Sequence, residues 1–193
     1  MKRAAGQRLA DGLVILLVIL ALAGGWALKV SAENQTVPYL LDGLHLNLSS
    51  GERIAGMVNG VRSVELAGSF GATRFEVRNQ PLQGVISIPQ ALLAASDALT
   101  LERARTFTAY HTLEVDETLL LGEIGLLVSY VFVEEDPNAL SQQLPVVMRG
   151  EDRLSLLNGH LLIFTVQAEQ SRFAAAQGRF QSLCDSAWLE GGG

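Results

Sequence analysis

"RLSLLNGHLLIFTV", residues 153–166, decides the fold of this chain. Asn158-Gly159 separates two apolar runs, and Asn-Gly is the preferred pair for a type I′ turn because both central residues take positive φ. That turn's twist matches the twist of antiparallel strands. Counting outward from it sets Leu157 opposite His160, Leu156 opposite Leu161 and Leu154 opposite Ile163. Side chains alternate along a strand, so Leu154, Leu156, Leu161 and Ile163 share one apolar face. Such a hairpin needs a second layer to cover it, and the chain is read as an antiparallel sheet with a core on that face.

Similar signals recur on either side. Asn59-Gly60 lies between "RIAGMV" and "VRSVEL", and "GSFGA" (68–72) reads as the next turn of a meander. "LHLNL" (44–48) alternates with Leu44, Leu46 and Leu48 on one face, and "GVISIP" (84–89) is a short strand ended by Pro89. "PQALLAASDA" (89–98) begins with proline, which suits the first helical position, and predicts two helical turns. From Phe107 the pattern alternates, placing Phe107, Ala109, His111, Leu113 and Val115 on one face. "LLVSYVFV" (126–133) reads as a strand buried on both faces. Phe173, Phe180, Leu183, Cys184, Ala187 and Trp188 recur at helical spacing, predicting a helix over 171–189 that Gly191–Gly193 stop.

Ahead of all this stands "GLVILLVILALAGGWALKV" (12–30), uncharged from Gly12 to Leu28. A span needs about 20 apolar residues to cross a hydrocarbon core of roughly 30 Å, and this run approaches that length. Trp26 suits the headgroup region and Lys29 can reach the interface. The run exceeds the usual apolar stretch of a secretion signal, so it is read as a retained anchor despite "VSA" (30–32), a plausible cleavage site. Leu13, Leu17, Leu20, Gly24, Gly25 and Trp26 are its candidate residues, with Gly24-Gly25 a small-residue patch where another helix could pack. Lys2, Arg3 and Arg8 precede the run and Lys29 alone closely follows it, which sets the amino terminus in the cytoplasm. The expected organisation is a tail over 1–11, a transmembrane anchor over 12–30, a linker over 31–39 and a periplasmic or extracellular domain over 40–193. The expected fold class is α+β or mostly β: one transmembrane helix, an antiparallel sheet or sandwich, and a carboxy-terminal helix.

Charge narrows the function. The 193 residues carry a net −6, and after residue 30 ten basic residues, all arginine, face 19 acidic ones. An acidic surface repels phosphate backbones and anionic headgroups, so nucleic acid is not an expected partner. The single cysteine, Cys184, excludes an internal disulfide and a thiolate metal cluster.

Candidate chemistry is sparse. His111 is aligned with apolar neighbours and has no second ligand at strand spacing, so it is read as structural. Glu134, Glu135 and Asp136 are adjacent rather than alternating as calcium ligands are, and Glu151-Asp152 is read as a solvated hairpin end. "GSFGA" and "LLLGEIG" match neither dinucleotide nor phosphate loops, and no Gly-x-Ser-x-Gly elbow occurs. No catalytic, cofactor-binding or metal residue is assigned, and no enzyme activity is expected. The sequence reads as a non-catalytic accessory or scaffold subunit of a larger bacterial membrane complex, with electron transport one setting. Its partners would be integral membrane subunits and, through the anchor, the bilayer. Trp188 is the first candidate for a partner contact. A ligand-binding or sensory ectodomain is the alternative, although no small-molecule ligand is expected, and an envelope hydrolase or transpeptidase stands behind it.

Overall fold

A computed structural model describes residues 16–28, 36–49, 57–58, 61–66, 73–82, 88–135 and 144–190. The chain divides into two compact units, Met1–Val37 with Ser49–Gly51, and Pro38–Leu48 with Glu52–Gly193. The first contains helix α1, residues 16–28. The described strands are β1 (Thr36–Leu41), β2 (Leu44–Ser49), β3 (Met57–Val58), β4 (Val61–Leu66), β5 (Arg74–Pro81), β6 (Thr108–Leu120), β7 (Glu123–Glu134), β8 (Val146–Leu157), β9 (His160–Glu169) and β10 (Trp188–Leu189). Helix α2 spans Ile88–Thr106 and helix α3 spans Phe173–Ser186.

The membrane anchor expected over 12–30 is overturned. No described helix is long and apolar enough to cross a membrane. Leu17, Leu20 and Trp26 are exposed on helix α1, and no atom lies within 4 Å of where a Cβ on Gly24 or Gly25 would stand. Leu13 falls outside the described residues. The described residues form a mostly-sheet fold, with two antiparallel sheets and three helices, and the anchor is not seen among them. The cytoplasmic and extracytoplasmic assignment rested on that span and loses its premise with it.

The larger sheet has strand order β3-β4-β5-β9-β8-β7-β6, all antiparallel. Its centre is the hairpin quoted above. Asn158 has φ 51° and Gly159 φ 79°, and the strands pair Leu157 with His160, Leu156 with Leu161 and Leu154 with Ile163, as the turn dictates. Leu154, Leu161 and Ile163 join Val128, Tyr130, Phe132 and Met148 under Leu92 and Leu99 of α2. On the opposite face Leu162, Phe164, Val166 and Ala168 of β9 pack with Phe75 and Val77 of β5 against Phe173, Ala176, Phe180 and Leu183 of α3. Leu44, Leu46 and Leu48 of the small sheet belong to this second cluster. Each buried Leu, Ile, Val, Phe or Met side chain contributes about 1.5–3 kcal/mol by leaving water.

Elsewhere the structure departs from the sequence reading. Helix α2 has 19 residues rather than two turns, and it takes in Ile88, which the sequence places in a strand. Helix α3 ends at Ser186, Ala187 turns to extended backbone, and Trp188 lies on β10. The even alternation expected from Phe107 is broken by register shifts between Thr108 and His111 and between Thr112 and Glu114, with Ala109 at φ 52°. The expected turns at Asn59-Gly60 and 68–72 and the strand over 84–87 lie outside the described residues, although β3 and β4 pair with Val58 opposite Val61.

Geometry requires glycine at position 150 and at position 159. Gly150 lies opposite Tyr130, whose ring occupies the space a Cβ would need. A Gly150→Ala variant must displace a fully buried tyrosine and is expected to lose about 1–3 kcal/mol, the range for overpacking a core. Gly159→Val forces a branched residue into the left-handed region and is expected to lose at least about 1–2 kcal/mol. Urea unfolding of the two variants beside the parent checks both; an unshifted midpoint refutes the corresponding claim.

Candidate interaction surface

The three-stranded sheet, order β1-β2-β10, carries Trp188, the most exposed of the Phe, Tyr and Trp side chains among the described residues of the second unit. Asp42 and Gly43 take φ 46° and 82°, forming a two-residue turn between β1 and β2. Asp-Gly is a preferred pair for such a turn, and the sequence reading passed over it. The turn sets Leu41 opposite Leu44 and Leu40 opposite His45. Leu41, Leu44, Leu46 and Leu48 point into the core. Asn79 of β5 fixes the turn, donating from Nδ2 to the carbonyls of Leu41 (3.3 Å) and Asp42 (3.0 Å).

Strand β10 then pairs Leu189 with Leu44 and Trp188 with His45. Ala187 and Leu189 are buried, so alternation drives Trp188 to the outer face, where it is 53% exposed. Its ring stacks on His45 at 3.7 Å between centroids and 4° from parallel. The Glu190 carboxylate stands 3.5 Å from His45 Nε2, and the Glu190 N–H donates to the Gly43 carbonyl at 2.8 Å. Leu40, His45 and Trp188 thus form one cross-strand row, with Leu40 53% exposed at the far end. The indole is held in one orientation by the stacked imidazole, so binding through it would sacrifice little side-chain freedom.

Polar groups that sequence reasoning placed at solvated hairpin ends are instead buried. Asp152 of β8 is 1% exposed, and its Oδ1 accepts from Thr165 Oγ1 (2.6 Å), Arg103 Nη2 (3.3 Å) and Tyr130 Oη (3.4 Å). Gln167 Nε2 donates to Tyr130 Oη at 3.0 Å. Arg103 reaches down from α2, and its Nη2 is also 3.5 Å from Glu76 Oε2, while Arg78 bridges Glu76 and Glu102. Burial pushes Asp152 above the usual carboxylate range, the Arg103 guanidinium only partly opposing it. Burial by itself lowers Arg103, but the nearby Asp152, Tyr130 and Glu76 outweigh it and hold the guanidinium firmly charged. On the opposite face Glu151, 2% exposed, accepts from Arg153 Nε (2.8 Å) and Gln177 Nε2 (2.8 Å), while Arg153 Nη1 donates to Gln181 Oε1 (2.6 Å).

Both networks clamp a helix to the sheet. Their charged members bond mainly to one another across the helix–sheet contacts, with Arg103 Nε and Asp152 Oδ2 buried without a hydrogen-bond partner among the described residues, and the arrangement is that of a structural clip. Cys184 is buried on α3, and burial pushes its thiol up to about 12, so it is held as the un-ionised thiol and is a poor nucleophile. His111 is exposed on β6 rather than on an apolar face, because the register shift flanking it rotates the strand. Among the described residues, no group of three His, Cys, Asp or Glu side chains is placed to hold a metal ion.

No family model and no curated protein matches the chain. Solved structures similar to it include a protein of unknown function from Pseudomonas aeruginosa, at 14% identity over 77% of this chain and 93% of that one, with a TM-score of 0.44. The cyanobacterial PsbP of Synechocystis is similar at 10% identity over 80% and 92%, TM-score 0.48. The Ran-binding protein Mog1p of Saccharomyces cerevisiae is similar at 10% identity over 80% and 95%, TM-score 0.49. At this distance none of them carries a functional argument.

The clip on α2 makes a quantitative prediction. Arg103→Met leaves Asp152 as a buried uncompensated charge and is expected to lose about 3–5 kcal/mol at neutral pH. Asp152 has a raised folded-state pKa, so its ionised form weakens the fold as pH rises through its titration, and the penalty in Arg103→Met should shrink under acid conditions where Asp152 is protonated. Adding Asp152→Leu should recover most of the loss. Urea midpoints at neutral and mildly acidic pH check the sign; a larger penalty at the acidic pH contradicts it.

Proposed function

We propose that this chain is a non-catalytic accessory subunit that works by docking on other proteins, with the Leu40–His45–Trp188 row as its contact. The observation that carries this reading is Trp188: a large aromatic side chain, 53% exposed, ordered by stacking on His45 at 3.7 Å. Tryptophan is the residue type most often dominant in protein interfaces, because it buries a large rigid area and still offers an N–H donor. The flanking Leu40 extends the apolar contact across the strand pairs, and Glu190 gives it a polar rim. The non-catalytic part of the reading is supported by the state of the reactive groups. The Cys184 thiol is held un-ionised, and Asp152, Glu151, Arg103 and Arg153 are occupied in the two clips.

Trp188→Ala tests the reading. The side chain is exposed, so the melting temperature should move little, whereas recovery of co-purifying proteins by the tagged full chain should fall steeply. A purified partner should bind at least about 30-fold more weakly, as expected for a tryptophan worth about 2 kcal/mol or more. Undiminished co-purification would remove Trp188 from the contact.

A further inference from the structure

The larger sheet ends in β6, a 13-residue strand with β7 on one side and no strand on the other among the described residues. An edge of that length presents a row of unpaired backbone groups, the template on which another strand adds. Which groups face outward follows from the β6–β7 turn. Leu121 and Gly122 take φ 56° and 83°, a two-residue turn, so the flanking pair Leu120 and Glu123 exchange both of their backbone hydrogen bonds. Every second residue repeats this pattern, which turns the N–H and C=O groups of Thr118, Asp116 and Glu114 toward β7. The groups of Val115, Glu117 and Leu119 therefore point away from the sheet.

The side chains along this edge have a sidedness. Val115 pairs with Val128 and Leu119 with Ile124, which places Val115, Glu117 and Leu119 on the face covered by α2. Val115 is 48% exposed, Leu119 68% and Ile124 65%, so they form an apolar strip beyond the helix, interrupted by Glu117 between Val115 and Leu119. Glu114 and Asp116 lie on the opposite face, the face of Leu120, and both are exposed. From Thr108 to Leu120 the strand has three carboxylates and no Lys or Arg. None of the three is in an ion pair among the described residues. An edge-to-edge dimer of this chain would set carboxylates against carboxylates, which is destabilising. The charge therefore selects against a second copy and in favour of a basic strand.

We propose that the β6 edge binds an extended segment of another protein, apolar on the α2 side and carrying Lys or Arg on the other. Its backbone would bond to Val115, Glu117 and Leu119, its apolar side chains would cover the Val115–Leu119 strip, and its cations would meet Glu114 and Asp116. This contact is separate from the Trp188 row and stands or falls without it.

The probe is a fluorescein-labelled ten-residue peptide of alternating valine and lysine, titrated into the full chain by anisotropy, with an alternating valine–glutamate peptide beside it. The lysine peptide should saturate binding and slow hydrogen exchange at Val115, Glu117 and Leu119; the glutamate peptide should bind at least about tenfold more weakly. Glu117→Pro removes one outward N–H without touching the bonds to β7 and should abolish binding, while Glu117→Gln, which keeps the N–H, should largely retain it. If Glu117→Pro unfolds the protein, the double variant Glu114→Lys, Asp116→Lys serves instead and should reverse the preference between the peptides. Equal binding of both peptides, no binding of either, or protection confined to other strands overturns the proposal. So does concentration-dependent self-association that protects the same amides without peptide, since the occupant would then be a second copy.

Discussion

From Leu161 to Ala168 every side chain of β9 is buried, odd-numbered residues beneath α2 and even-numbered ones beneath α3. Both hydrophobic clusters are therefore fastened to a single strand, and each helix keeps its place only while β9 keeps its register. That register is set by the Asn158-Gly159 turn, because a slip of one residue would exchange Leu161 and Ile163 for Leu162 and Phe164 on the two faces. Such a slip would also move Thr165, which bonds Asp152, from one side of the sheet to the other. Apolar packing and the buried ionic clip thus demand the same alignment, and this agreement between levels specifies one structure.

The two layers are secured differently along their length. Under α2 the end near the hairpin is hydrocarbon, with Leu92 beside Leu154, Leu161 and Ile163, whereas the far end closes over Arg103, Asp152, Thr165 and Gln167. A buried ion pair contributes little net stability, because desolvation offsets most of the attraction. Its effect is on position: Arg103 finds acceptors only where α2 lies with its last turns over Asp152 and Glu76. Under α3 the same division runs across the helix rather than along it. Phe173 and Phe180 enter the core, and the guanidinium groups of Arg149 and Arg153 lie 4.8 and 5.1 Å from the centres of those two rings. The aromatic faces supply attraction to cations that the surrounding sheet has removed from water.

These features explain which parts of the fold were legible in the sequence. The central hairpin was, because a two-residue Asn-Gly turn fixes register by local geometry alone. The length of α2 was not. Its second half, "LTLERART", carries charges at positions that read as solvent-facing, and only the carboxylates of β5 and β8 make the interior a favourable place for Arg103. Glu151 and Asp152 failed for the same reason: adjacent residues of a strand point to opposite faces, where Asp152 met Arg103 of α2 and Glu151 met Arg153 of its own strand with Gln177 of α3. The alternation through His111 was misread because a bulge shifts the period, and one residue in the left-handed region, Ala109, has no distinctive sequence signal. The span over 12–30 rested on a count of apolar residues alone, and no described helix is long and apolar enough to cross a membrane. Trp188 was selected for its type and placed on the wrong element. Ala187 breaks the helix, and the strand that follows turns the indole outward.

The distribution of polarity that results runs against the usual order. Charged residues such as Arg103, Asp152, Glu151 and Arg153 are inside, while Leu40, Trp188, Val115, Leu119 and Ile124 are outside. Single exposed apolar residues need no explanation, since much of any protein surface is apolar. The pattern here is not single. Leu40 and Trp188 flank His45 across neighbouring strands, and Val115 and Leu119 lie four residues apart on one face of β6 beside outward-facing backbone groups. In a chain that had only its own stability to serve, substituting polar residues at these exposed positions would sacrifice no packing and would shield the β6 edge. The ordered indole and the open acidic edge are what the proposed docking role requires, and the buried clips hold both in place.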